Sequence, residues 1–187
     1  MDMRFFVPIV IMMLLLGCTN TAENGKSDAN NTTNVNTTGV NMSKNTTVVF
    51  ETTKGNFTAE IYEKDAPITS ANFLNLVKTG FYNGLTFHRY EPGFVVQGGD
   101  PKGDGTGGSG KTIKLEINSK LNHELGSLSM ARAQNPDSAS SQFFIVIGEA
   151  GFLDGQYAVF GKVKSGLDIA LNLRKGDKMN KVYIVQS

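Results

Sequence analysis

The chain has 187 residues, 40% of them hydrophobic, with 18 basic and 17 acidic side chains and a formal net charge of +1. That is room for one globular domain with a real core, and the near balance of charge gives no electrostatic case for nucleic acid, which needs a concentrated basic face. The 21 glycines and the absence of tryptophan speak for a loop-rich β or mixed fold rather than a helical bundle.

The N-terminal segment reads as a targeting sequence. Arg4 precedes an apolar run from Phe5 to Leu16, which is short for a bilayer span and fits a signal-peptide core. The run ends in Leu15-Leu16-Gly17-Cys18, which resembles a lipobox. Residues 1–17 would then be removed as a lipoprotein signal, leaving Cys18 as the lipid attachment point; the alternative is an uncleaved anchor. Either form implies export, with the lipidated form held at the outer face of the cell membrane. Cys18 is the only cysteine, so no intrachain disulfide can form. Residues 18–45 are rich in Asn and Thr and bury almost nothing, the composition of a disordered tether. They contain N-x-[ST] acceptors at Asn30, Asn31, Asn36, Asn41 and Asn45, and Asn56 is another; matches of this kind also arise by chance in such a tract.

The folded part is expected over residues 46–187. Thr46–Glu51 and Phe57–Tyr62 read as strands joined by Thr52-Thr53-Lys54-Gly55-Asn56, a hairpin signal. Residues 66–80, with Pro67 at the start, Phe73, Leu74, Leu76 and Val77 at helical spacing and Gly80 at the end, predict a helix of about three turns. Short strands follow around Leu85–Tyr90, Phe94–Gln97, Ile113–Ile117, Ser127–Ala131, Gln142–Ile147 and Ala158–Val163. A second helix is expected over Leu167–Leu173 and a last strand over Lys181–Gln186. About eight short strands and two helices suggest a closed antiparallel barrel capped by the helices.

Residues 105–112, GTGGSGKT, match the phosphate-binding pattern G-x-x-x-x-G-K-[ST] letter for letter. The context forbids that reading. A phosphate loop needs a buried strand before it and a helix N-terminus after it. Here Gly98 to Asp104 cannot form a buried strand, and Ile113-Lys114-Leu115-Glu116-Ile117 alternates with the period of a strand. The overlapping G-x-G-x-x-G beginning at Gly103 fails for the same reason. No nucleotide is expected as a ligand.

Other chemistries lack their parts. The two histidines, His88 and His123, have no metal-ligand spacing, so no metal is expected. There is no G-x-S-x-G elbow, and no pair of acids recurs in an apolar setting. What remains is a concentration of large apolar residues around one cation. In Phe87-His88-Arg89-Tyr90, strand alternation puts Phe87 and Arg89 on one face and His88 and Tyr90 on the other. In the next run it puts Phe94 with Val96 and Val95 with Gln97. Phe87 and Phe143 are expected to be plain core, the other aromatics have the same alternative, and Arg89 is read equally well as a surface ion pair.

The runs FHRYEPGFVVQGGDPKGDGTGG, GSLSMARAQNPDSASSQFFIVIG and FLDGQYAVFGKV resemble the cyclophilin family of peptidyl-prolyl cis-trans isomerases, in the family's order, from near Val48 to about Gln186. The resemblance implies an eight-stranded barrel with two capping helices and a substrate groove on its outer face. It implies Arg89 as the catalytic residue and His88 as part of the pocket rim. Phe94, Phe144 and Leu153 match the proline pocket, with Val95 where the family often has methionine. Gln97 and Gln142 match residues that orient the arginine and the peptide. Ala131, Arg132 and Ala133 match the segment that pairs with an extended substrate. Phe152 stands where many eukaryotic members carry tryptophan, Tyr157 where they carry histidine, and Arg132 where they carry asparagine. The implied partner is a proline-containing polypeptide, with no cofactor and the chain as a monomer. A proline-peptide binding or holdase module on the same scaffold is the alternative, since one fold can host either role.

Overall fold

The computed structural model describes residues 45–185; the expected signal segment, Cys18 and nearly all of the expected tether lie outside them. Eight strands form one antiparallel sheet: β1 (Thr46–Thr52), β2 (Gly55–Ile61), β3 (Arg89–Glu91), β4 (Val95–Gly98), β5 (Ser127–Met130), β6 (Phe143–Val146), β7 (Val159–Ser165) and β8 (Met179–Val185). Their order across the sheet is β3-β4-β6-β5-β7-β2-β1-β8. The hairpin of β1 and β2 follows from alternation: every second residue, Val48, Phe50, Phe57, Ala59 and Ile61, is buried.

The expected closed barrel is corrected to an open half-barrel. The end strands β3 and β8 do not pair as strands, because β3 is only three residues long. The chain before it meets the segment leading into β8 at a single bridge, Thr86 to Lys178. The N–H groups of Phe87 and Met179 donate there to Asp177 O and Leu85 O, each at 2.8 Å. The strand expected over Leu85–Tyr90 is therefore shorter than its composition suggests.

A second correction concerns Ile113–Ile117, which has the alternation of a strand but no partner strand. Only Ile113 bridges, to Ala139, and the rest is anchored by side chains. Leu115 N–H donates to Asp137 Oδ1 at 2.9 Å, and the Glu116 carboxylate accepts from the N–H groups of Ile68 and Thr69 at 3.1 and 2.9 Å. Those last two are orphan donors in the first turn of helix α1 (Pro67–Lys78), whose N-cap Ala66 offers no side-chain oxygen. Helix α1 lies against β7 and β8, and the short helix α2 (Leu167–Leu171) lies against β2 and β7.

The interior is aromatic. Phe50 stacks on Phe57 at 4.6 Å between ring centroids, and Phe73 from α1 meets Phe143, Phe160 and Tyr82 within 5.5 Å. All six rings are 0–1% exposed. A second, smaller cluster on the opposite side of the sheet joins Val95, Phe144, Val146 and Ala150 with the half-buried Phe94, Ala131, Leu153 and Tyr157.

Candidate functional site

Strand register builds the site. Arg89 of β3 is opposite Gln97 of β4, Gln97 is opposite Phe144 of β6, and Phe144 is opposite Ser129 of β5. Directly opposed residues share a face, so these four side chains form one row across the outer surface. Glu91, Val95 and Val146 form a second row two residues along. The inner row beside them carries Gly98, Phe143 and Met130.

Two expectations about faces are corrected by this register. Phe87 is fully buried in the main core, not beside the exposed Arg89, because the ladder begins at Arg89 and alternation does not reach back to it. Phe94 joins Val95 rather than Val96: it closes a turn onto Glu91 O at 3.1 Å before β4 begins.

The outer rows and the segment after β6 enclose a cavity of about 290 Å³, lined by Arg89, Phe94, Val95, Gln97, Ala131, Arg132, Phe144, Phe152, Leu153 and Tyr157. Phe144 lies on its inner side, only 4% exposed. Phe152 stacks on Phe94 at 5.2 Å and remains 65% exposed, and Tyr157 meets Phe144 edge-on at 6.0 Å. Ala131 and Arg132 are shared with an adjoining groove of about 250 Å³, which Ala133 and Gln142 also line. His88 lines neither space. The residue is 9% exposed and lies beside the glycine loop, 3.9 Å from where a Cβ on Gly105 would sit, and its Nδ1 has no hydrogen-bond partner among the described residues.

A one-way chain of hydrogen bonds fixes the guanidinium. Arg89 Nε donates to Glu91 Oε1 at 3.2 Å and Nη1 donates to Gln97 Oε1 at 3.3 Å. Gln97 Nε2 donates to Gln142 Oε1 at 2.9 Å, and Gln142 Nε2 donates to Gly105 O and Gly107 O at 3.0 and 2.8 Å. Each amide is thereby held with its oxygen toward the cation and its nitrogen toward the loop.

That loop opens the stretch with the phosphate-binding spacing, and the turn leading into it, from Lys102 to Gly105, wraps its N–H groups around Asp100. The buried Asp100 accepts from Lys102 N–H at 2.8 Å, Asp104 N–H at 3.1 Å and Gly105 N–H at 2.6 Å. Burial pushes the Asp100 carboxyl up, but the N–H groups of Lys102, Gly105 and Gly107 outweigh it and hold the group below the usual carboxylate range. A Cβ on Gly107 would collide with Asp100 Oδ1, so glycine is required for this approach.

Three further contributors have no motif to mark them. His123, with a side chain 0% exposed, lies under the pocket with its ring parallel to Phe144 at 5.9 Å. Its Nδ1 is 2.7 Å and its N–H 2.8 Å from Asp154 Oδ1, and its Nε2 is 2.9 Å from Ser129 Oγ. The Asp154 carboxylate accepts from the His123 backbone N–H and pairs with Nδ1, while Nε2 and Ser129 Oγ share a hydrogen bond on the far side of the ring. Asp154 directly follows the turn that presents Phe152 and Leu153, so this contact ties a pocket wall to its floor. The His123 N–H, and then its ring, hold the Asp154 carboxyl below its ordinary value. Glu91 is the third, as partner of Arg89; it could be guessed only by knowing that the ladder begins at Arg89.

The family description "Cyclophilin type peptidyl-prolyl cis-trans isomerase/CLD" matches residues 47–186. Peptidyl-prolyl cis-trans isomerase B of Bacillus subtilis is 53% identical over 126 residues, covering 67% of this chain and 87% of that protein. A peptidyl-prolyl cis-trans isomerase of Helicobacter pylori is 44% identical over 149 residues, covering 78% of this chain and 91% of its own length. Among solved structures, a cyclophilin-type isomerase of Cryptosporidium parvum aligns with a TM-score of 0.71 at 31% identity, over 76% of this chain and 99% of that one. The same protein crystallised in the presence of the dipeptide Ala-Pro aligns with a TM-score of 0.70, over 75% of this chain and 99% of that one. With a family match across the whole sheet and relatives of this closeness, the chain belongs to the cyclophilin family and is a peptidyl-prolyl cis-trans isomerase.

Proposed function

We propose that the chain isomerises X–Pro bonds of exported proteins, with the proline held among Phe94, Val95, Phe144, Leu153 and Tyr157 and Arg89 acting on the twisted amide. The observation that carries this reading is the row Arg89–Gln97–Phe144, which sets a fixed guanidinium against an apolar cavity. Amide resonance sets a barrier of ~18–20 kcal/mol, and rotation removes that resonance. The proline nitrogen of the twisted state then becomes a better hydrogen-bond acceptor than in either ground state. A preorganised cationic donor favours that state selectively, which is the condition for catalysis. Arginine suits the task because its planar fork keeps its orientation once its other N–H groups are engaged. Glu91 and Gln97 engage them here. Ala131, Arg132 and Ala133 offer the backbone edge for an extended peptide, Gln142 steadies the loop opposite, Phe152 closes the exposed rim, and His88 supports the loop from beneath.

NMR exchange spectroscopy on a short X–Pro peptide, with the full chain and with Arg89→Ala, tests the mechanism. Loss of one transition-state donor costs on the order of 10²–10³ in turnover. The holdase alternative predicts binding without accelerated exchange in either protein. The N-terminal motif is the ground for export: residues 1–17 act as the signal, Cys18 carries lipid, residues 18–45 form the tether, and residues 46–187 fold as a monomer at the outer membrane face. Cys18→Ser should release the protein from membranes; continued attachment would refute the lipid anchor.

A further inference from the structure

Arg132 stands between the cavity and the adjoining groove and lines both. Four hydrogen bonds to carbonyl oxygens fix its guanidinium: Nε and Nη2 donate to Gln156 O at 3.2 and 3.1 Å, and Nη1 donates to Ala133 O at 2.9 Å and Gln134 O at 3.3 Å. Its Cζ lies over the Tyr157 ring, 4.6 Å from the centroid. Carbonyl oxygens satisfy the hydrogens but bring no net charge. Among the described residues no carboxylate pairs with Arg132, whereas Arg89 has Glu91. The groove offers hydroxyls from Thr106, Ser138 and Ser140 and the amide of Gln142, but no carboxylate. The nearest acids in sequence to that lining, Asp104 and Asp137, are engaged by Thr106 and by the Leu115 N–H.

We infer that Arg132 makes this isomerase select peptides with an acidic side chain within two residues of the proline. An extended chain advances about 3.3 Å per residue, so a residue next to a bound proline passes the boundary that Arg132 occupies. The cation is already immobilised, so a carboxylate reaching it meets no ordering cost on the protein side. At an exposed site the gain is modest, about two- to fivefold in turnover efficiency at low salt. The inference rests on the cavity being the proline site.

The test is NMR exchange on matched peptides carrying Glu or Gln two residues before the proline or one residue after it, with the full chain. The expected result is a Glu-over-Gln preference on one side of the proline at about 0.01 M salt that fades at about 1 M, where screening shortens to a few ångströms. Arg132→Gln brings the Glu-to-Gln ratio to one, and Arg132→Lys, which keeps the charge, retains a preference. A ratio of one in the unaltered chain on both sides, or a preference that survives Arg132→Gln or high salt, overturns the inference. If Arg132→Gln fails to fold by circular dichroism, the salt dependence of the unaltered chain decides. Arg89→Ala runs in parallel: turnover that survives there refutes the reading of the site, whereas a flat ratio with Arg89-dependent turnover refutes only the charge preference.

Discussion

Phe143 and Phe144 are consecutive residues of β6 with opposite surroundings. Phe143 points inward among Phe50, Phe73, Tyr82 and Phe87, all within 6.5 Å between centroids, while Phe144 points outward to the cavity, with Tyr157 at its edge and His123 beneath. The same side chain serves two purposes because the pleat alternates. Inside, every ring is closed in by protein; outside, one surface of the cluster is left for a ligand to close. Stability and recognition are thus built from one residue type on the two faces of one strand.

The sharpest way to break the comparison is to remove each ring in turn. Phe143→Ala should cost about 3–5 kcal/mol in denaturant unfolding, the range for an aromatic deleted from a packed core. Phe144→Ala should cost less stability and instead weaken peptide binding, measured by titration with a proline peptide. Equal losses of stability would mean that the outer cluster is simply more core. Asp154→Ala probes the next level, since it cuts the wall carrying Phe152 and Leu153 from His123. With the Asp154 side chain 37% exposed, screening limits the stability change to about 1 kcal/mol, while KM rises and Asp154→Asn, which still accepts a hydrogen bond, restores much of it.

A pH profile sharpens the contrast further. Burial holds the His88 imidazole below its ordinary value, against the opposing pull of the Asp100 carboxylate. Below about pH 6.5 the unfolded chain takes up a proton that folded His88 refuses, so stability falls with falling pH until the lowered folded value is passed. His88→Gln should flatten that limb of the stability curve. The smallest effect belongs to Glu91→Gln: both partners of the Arg89–Glu91 pair are about half exposed, and the change in stability should stay under about 1 kcal/mol.

The legible parts of the molecule are those governed by short-range periodicity. Alternation marked β1 and β2, and proline, apolar spacing and a terminal glycine marked α1, because burial imposes a period on each element. Ile113–Ile117 misled for the same reason: it carries a strand's period, but its anchors are Asp137 and the first turn of α1. The open seam was invisible because closure depends on the length of β3, which alternation overstates. Of the residues named from the family motifs, all but His88 line the cavity or the adjoining groove, yet the Asp154 contact with His123 spans 31 positions and leaves no local signature. The faces of Phe87 and Phe94 depended on where a ladder starts, which propensity locates poorly.

The turn from Lys102 to Gly105, which leads into the loop that mimics a phosphate site, is a receptor whose ligand was supplied during synthesis. Asp100 brings the negative charge on the same chain, at a local concentration that no diffusing anion rivals. Of the three donors only Gly105 belongs to the stretch that spells a phosphate site, so the motif does not record this arrangement, and the chain itself furnishes the occupant. Through Gln142, which donates to Gly105 O and Gly107 O, the aim of Arg89 rests on this internal pairing rather than on any solute.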